Sequence, residues 1–125
     1  MRTQTENLKV LVLAYLEANC RGRKAGVSKT RLALALLVPL AQEKRLREAI
    51  DSLADDHRIG SSAEHGYFVC ESEEDFAVAE RTMAGYAFPS MRRKEAIHRQ
   101  RLAWRREQMG VRETQQTSLF EGVAG

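Results

Sequence analysis

From Leu8 onward, apolar residues recur at Leu8, Leu11, Val12, Tyr15 and Leu16, the i, i+3, i+4, i+7, i+8 spacing of a helix with one buried face. Thr3 and Glu6 have the spacing of a capping box ahead of it, so a first helix is predicted to end near Asn19 and Gly22. The stretch RGRKAGVSK reads as a basic loop in which Gly26-Val27 adds a short strand before Ser28 caps a second helix. That helix is short and very apolar, marked by Leu32 and Leu36, and Pro39 in LVPLA breaks it because proline cannot continue the helical hydrogen bonding. A third helix follows from about Ala41 to Asp56, with Leu46, Ala49, Ile50 and Leu53 on one face.

The period then changes from helical to alternating. Arg58 to Ser61 and Gly66 to Cys70 read as two extended segments around a turn at Ala63 to His65, and Tyr67, Phe68 and Val69 have the aromatic and β-branched character of a strand. Helix, short strand, helix, tight turn, helix, hairpin is the element order of a winged helix, a helix-turn-helix variant whose hairpin is the wing. Ser72 with Asp75 restarts a helix in which Phe76, Ala79 and Met83 are spaced to pack on that core, and Phe88-Pro89 interrupts it. In the next segment, SMRRKEAIHRQRLAWRREQMG, Ile97 and Trp104 share one face while Met91, Leu102 and Met109 lie on roughly the opposite one. With no single apolar stripe, this helix is expected to be solvated, paired with another chain or laid on an anion.

The expected fold class is therefore mainly α with a small β-hairpin. A winged helix-turn-helix domain covers 1–71 and a long, proline-interrupted helical extension, acidic and then basic, covers 72–109. A flexible, disordered tail covers 110–125. A chain of 125 residues suits one modest core with appendages. No apolar run approaches the ~18 residues of a membrane span, and the N-terminus has no charged-then-apolar signal pattern, which gives a cytoplasmic protein with no membrane partner as the expectation. Cys20 and Cys70 stand in no CxxC, so a metal site or redox pair lacks its spacing signature and no cofactor is expected.

Charge sharpens the picture. Residues 1–60 carry 11 Lys/Arg against 7 Asp/Glu, 61–88 carry 1 against 6, 89–112 carry 8 against 2, and 113–125 carry none against 2. A basic body, an acidic strip and a strongly basic helix point to a polyanionic partner, DNA. On the third helix Lys44 and Arg47 project away from the core, with Arg45 on the flank, where a winged helix enters the major groove. Glu48, Asp51 and Asp55 continue the same outward face, repel phosphate and have the i+4 spacing to pair with Lys44 and Arg47. Arg21, Arg23 and Lys24 in the first loop, and His65 with Ser61 and Ser62 on the wing, are candidate backbone contacts. In the basic helix Arg92, Arg93, Lys94, Arg99, Arg101, Arg105 and Arg106 neutralise phosphates without reading sequence, and Trp104 is available to stack on an unpaired base or fill a partner's groove. Catalysis lacks a basis: His57, His65 and His98 are scattered, no H-x-x-x-H, deaminase or P-loop signature occurs, and Asp55-Asp56-His57 reads as a helix end, so no enzyme activity is expected.

The chain closes on QQTSLFEGVAG, in which Leu119 and Phe120 have no evident core to join. Gln116 to Phe120, QTSLF, resembles the pentapeptide Gln-x-Ser/Asp-Leu-Phe by which bacterial replication and repair proteins bind the DNA polymerase sliding clamp. The resemblance implies that Leu119 and Phe120 fill a hydrophobic pocket on the clamp, Gln116 bonds a nearby polar subsite, and Ser118 is the small third residue. Thr117 departs from the commonest second residue, leucine, which implies weakened rather than abolished binding. The winged-helix order, GSSAEHGYFV, ESEEDF and the basic helix together resemble small phage and prophage proteins of the replication region. These likenesses imply a DNA-binding replication accessory protein tethered to the clamp, with other replisome proteins or self-association through the C-terminal helix as further partners. The alternative is a winged-helix transcriptional regulator of a phage or host operon; a third is an adaptor that binds the clamp without DNA.

Overall fold

The computed structural model describes residues 4–85 and 91–124, and the side chains of 6–85 and 91–111. α1 spans Gln4–Asn19, α2 Lys29–Ala35, α3 Glu43–Asp56, β1 Ile59–Ser62, β2 Gly66–Val69, α4 Glu73–Ala84 and α5 Met91–Ala124, with single 3-10 turns at Arg23–Ala25 and Leu40–Gln42. The order matches the sequence expectation, a mainly helical chain with one antiparallel hairpin. No helix among the described residues is long and apolar enough to cross a membrane. Thr3 and Phe88-Pro89 lie outside the described residues.

The first core joins Val12 and Leu16 of α1, Leu32 of α2, Leu46, Ile50 and Leu53 of α3, and Ile59 and Val69 of the hairpin. Leu11, expected in the core, is 52% exposed. It lies about 100° round α1 from Val12, and the buried stripe leans instead toward Leu8, Leu13 and Tyr15.

The hairpin separates this core from a second one, because successive strand residues face opposite ways. Tyr67 and Val69 face the first core, while Phe68 and Cys70 join Phe76, Ala79, Met83 and Ile97 in the second. Gly60, opposite Phe68, has no side chain in the way of α4: a Cβ there would stand 2.8 Å from the Phe68 ring and 2.9 Å from the Ala79 Cβ. On the outer edge of β2 the first loop makes two isolated bridges, Arg21 with Val69 and Val27 with Tyr67, so the short strand expected at Gly26-Val27 is present as a bridge. Tyr67 and Val27 exchange both backbone hydrogen bonds, at 2.7 and 2.9 Å. Gly66 makes that approach possible, since at φ +75 a Cβ would fall 2.1 Å from the Val27 carbonyl oxygen.

Asp75 locks the loop to α4. The Ser72 hydroxyl accepts from the Asp75 N–H at 3.2 Å, as the cap spacing predicts. The Asp75 carboxylate, only 4% exposed, turns away from the cap; it accepts from the Glu71 N–H at 2.8 Å, the Arg23 N–H at 3.3 Å and the Arg23 Nη1 at 2.8 Å. Burial by itself would raise its pKa, but these donors outweigh burial and leave it lowered.

α2 ends earlier than the break at Pro39 would require. The Leu37 N–H bonds the Leu34 carbonyl at 3.2 Å and the Val38 N–H bonds the Ala33 carbonyl at 2.8 Å, the paired bonds of a Schellman motif. The residue at its left-handed position is normally glycine; here it is Leu37, at φ 56 and 88% exposed. A left-handed leucine costs about 1 kcal/mol, so Leu37→Gly is expected to leave thermal stability unchanged or raise it by up to about 1 kcal/mol, the gain being trimmed by the entropy of the unfolded glycine. Thermal unfolding by circular dichroism checks this; a clear loss of stability contradicts it.

Candidate nucleic-acid interface

α3 is amphipathic, and its outward side is polar along its whole length. Leu46, Ala49, Ile50, Leu53 and Ala54 are buried, and Lys44, Arg45, Arg47, Glu48 and Asp51 are exposed. The first turn of α3 is held beside the first turn of α2 by Lys29 and Glu43, 3.6 Å apart. Around this end of α3, Lys44 and Arg47, together with Arg31 on α2 and Lys24 in the loop, are exposed and enter no ion pair among the described residues.

The C-terminal half of α3 is occupied by α5. Arg92 donates through both Nε and Nη2 to the Asp55 carboxylate, and Arg93 donates to Asp51. Arg99 and Gln100 donate to the Asp55 backbone carbonyl at 3.2 and 3.3 Å. Farther along, Arg101 spans Glu73 and Glu80 of α4 at 2.7 and 2.8 Å, and Arg105 donates through Nε and Nη2 to Glu73. Between these pairs Ala96 and Ile97 are buried, and Trp104 rests on Phe76 with ring centroids 5.6 Å apart. Exposed ion pairs contribute little individually, while burial of an isoleucine the size of Ile97 contributes about 2 kcal/mol. Apolar contact therefore holds α5, and the pairs set its register.

This corrects the expectation for the basic helix. Arg92, Arg93, Arg101 and Arg105 are engaged by carboxylates of the same chain, and Trp104 packs on α4. Asp51 and Asp55 pair across to α5 instead of along α3 with Lys44 and Arg47. The outward apolar residues are where the spacing put them, Met91 at 65% and Met109 at 60% exposure. Lys94 and Arg106 enter no ion pair among the described residues, and Arg106 is exposed.

The first loop divides. Arg23, expected at DNA, is the structural partner of Asp75, and Arg21 pairs with Glu71 at 2.8 Å. Lys24 is exposed, while His65 on the wing is half-buried, 3.7 Å from Glu64. A cleft of about 240 Å³ opens between α1, the end of α3 and α5, with Arg21, Asp56, His57, Arg58, Trp104 and Glu107 among its walls. Its charges are of both signs, and Arg58 reaches Glu107 across it at 3.7 Å, so it favours neither sign of ligand.

The backbone of α5 continues to Ala124, through the segment expected to form the flexible tail. The side chains of Gln116, Ser118, Leu119 and Phe120 lie outside the described residues.

Titration follows the pairing. The Arg105 and Arg101 guanidiniums pull Glu73 down to about 2, and the hydrogen bond from Arg92 holds Asp55 below the usual carboxylate range. Burial pushes the Cys70 thiol up to about 12, with Asp75 adding to the effect, so Cys70 is an inert core thiol.

Two features escaped the sequence reading. The burial of Asp75 depends on Arg23, 52 residues away, although its i+3 spacing from Ser72 marked the cap. The covering of α3 by α5 left a trace in the complementary charges of 61–88 and 89–112, which equally describe two solvated faces. No protein-family model, curated protein or solved structure matches the chain.

The lowered carboxylates give α5 a pH dependence of definite sign. Because Glu73 and Asp55 titrate lower when folded, their contribution is complete above their ordinary values of 4.5 and 3.8 and is lost as pH falls below those values, for Glu73 toward about 2. Trp104 is the sole tryptophan and reports the contact. Its emission is expected to hold steady from about pH 7 to 4 and shift to the red as pH falls further toward about 2, where Glu73 takes up its proton. Glu73→Gln is expected to lie redder at pH 7 with a smaller acid step. Emission unchanged down to pH 2 contradicts this linkage.

Proposed function

We propose that this chain is a DNA-binding replication accessory protein that tethers itself to the bacterial sliding clamp through Gln116–Phe120. One observation carries the DNA half. With Asp51 and Asp55 occupied by Arg93 and Arg92, the repulsion that α3 would present to phosphate is largely neutralised, and Lys44 and Arg47 remain at its leading end as cations with no ion pair among the described residues. Those two positions lie in the half of the third helix that a winged helix inserts into the major groove. Arg31 and Lys24 supply sequence-independent phosphate contacts beside them.

The clamp half rests on the pentapeptide and on where the chain carries it. α5 contacts the body as far as Glu107, and Gln116 comes about nine residues later, roughly 14 Å along a helix. A ligand at that distance reaches a clamp while the body stays on DNA, so two weak contacts act as one tight one.

Fluorescence anisotropy with a random duplex tests the DNA half. Lys44→Ala/Arg47→Ala is expected to lose about tenfold in affinity at 0.1 M salt and to flatten the log–log salt slope by about 2, one unit per phosphate contact. Arg81→Ala, which removes a cation that is 72% exposed on α4, is expected to change neither. Equal losses in the two variants contradict the assignment of α3 as the DNA element.

A further inference from the structure

The turn that leads into α3 presents apolar side chains outward. From Leu32 to Gln42 the sequence holds no charged residue, and Leu34, Leu37 and Leu40 are 71, 88 and 81% exposed. Loops ordinarily carry polar residues outward, and three such leucines on one turn form a patch of the kind that marks a contact site. Leu37 is presented there by a left-handed backbone that glycine would adopt without strain. Leu40 opens the 3-10 turn that runs straight into α3, three residues before Glu43 caps that turn and four before Lys44.

The flanks of the patch narrow its occupant. Arg31 precedes it and Lys44 follows it, both exposed and without ion pairs among the described residues. A two-fold dimer through this turn would bring the same cations of both copies together, a like-charge cost that disfavours a second copy. An apolar knob framed by cations matches a ligand whose apolar groups lie between anions. Duplex DNA has that arrangement in the major groove, where thymine 5-methyl groups lie between the two phosphate backbones. If Lys44 and Arg47 lie against phosphate, the knob is carried toward the base edges with them.

We infer that the Leu34/Leu37/Leu40 turn contacts thymine methyl groups in the major groove and gives this protein a preference for thymine-bearing sites. The inference rests on the DNA reading above and adds to it a source of sequence preference that needs no hydrogen bond to a base. Each thymine methyl taken from water against leucine is expected to raise affinity about fourfold.

The test uses the full chain and two AT-rich duplexes of one sequence, the second with every thymine replaced by uracil, which deletes only the 5-methyl groups. Anisotropy at low salt is expected to show the uracil duplex binding at least about fourfold more weakly. Leu37→Gly, whose backbone suits glycine, is expected to bind the two duplexes nearly equally, close to the affinity of the intact chain for the uracil duplex. Leu40→Ser is expected to narrow the preference in the same direction. Equal binding of both duplexes by the intact chain, or an undiminished thymine preference in Leu37→Gly, overturns the inference and leaves DNA binding standing. Failure to bind either duplex overturns the DNA reading itself. A concentration-dependent dimer in sedimentation velocity that Leu37→Gly abolishes assigns the patch to a second copy and overturns the inference.

Discussion

The guanidiniums of α5 lie opposite the carboxylates of α3 and α4, and that match decides what the rest of the surface can do. Without it, α3 would present Glu48, Asp51 and Asp55 along the face that also bears Lys44 and Arg47, and its charge would nearly cancel. With it, Arg92 and Arg93 cover the acidic end and the basic end remains. The same helix closes the second core with Ile97 and lays Trp104 on Phe76. Charge pairing and apolar burial thus act on opposite edges of one helix. Burial supplies most of the holding energy, and pairing fixes which residues meet.

β2 is the other organising element, because its two faces belong to different cores. Tyr67 and Val69 complete the three-helix body, and Phe68 and Cys70 begin the layer made by α4 and α5. Three close approaches make this possible: Gly60 beneath α4, Gly66 against Val27, and the Asp75 carboxylate on the first loop. The extension at 72–109 is consequently built onto the hairpin and shares its core.

The elements themselves were legible in the sequence, because their signals are local. The periodicity in α3 and α4, the caps at Ser28 and Ser72, and the aromatic run at Tyr67–Val69 each specify structure within a few residues. Leu11 shows the limit of that reading, since a helical stripe of five positions is wider than the face a neighbouring helix covers. Pairings between distant segments were not legible. Nothing within α5 says that its arginines meet Asp51, Asp55 and Glu73 in place of phosphate, because guanidinium chemistry suits both partners equally. The left-handed Leu37 was hidden for a different reason: the turn sequence offers no glycine or asparagine to signal it.

The function proposed above, a basic helix end on DNA and a pentapeptide on a clamp, is that of a tether, in which each contact would raise the effective concentration of the other. The clamp contact is the part on which a role in replication depends. The most direct measurement is titration calorimetry of the purified chain with a bacterial sliding clamp, beside Leu119→Ala/Phe120→Ala. The account predicts a dissociation constant on the order of micromolar for the intact chain and no measurable binding for the variant. No binding by the intact chain, or equal binding by both, would contradict it.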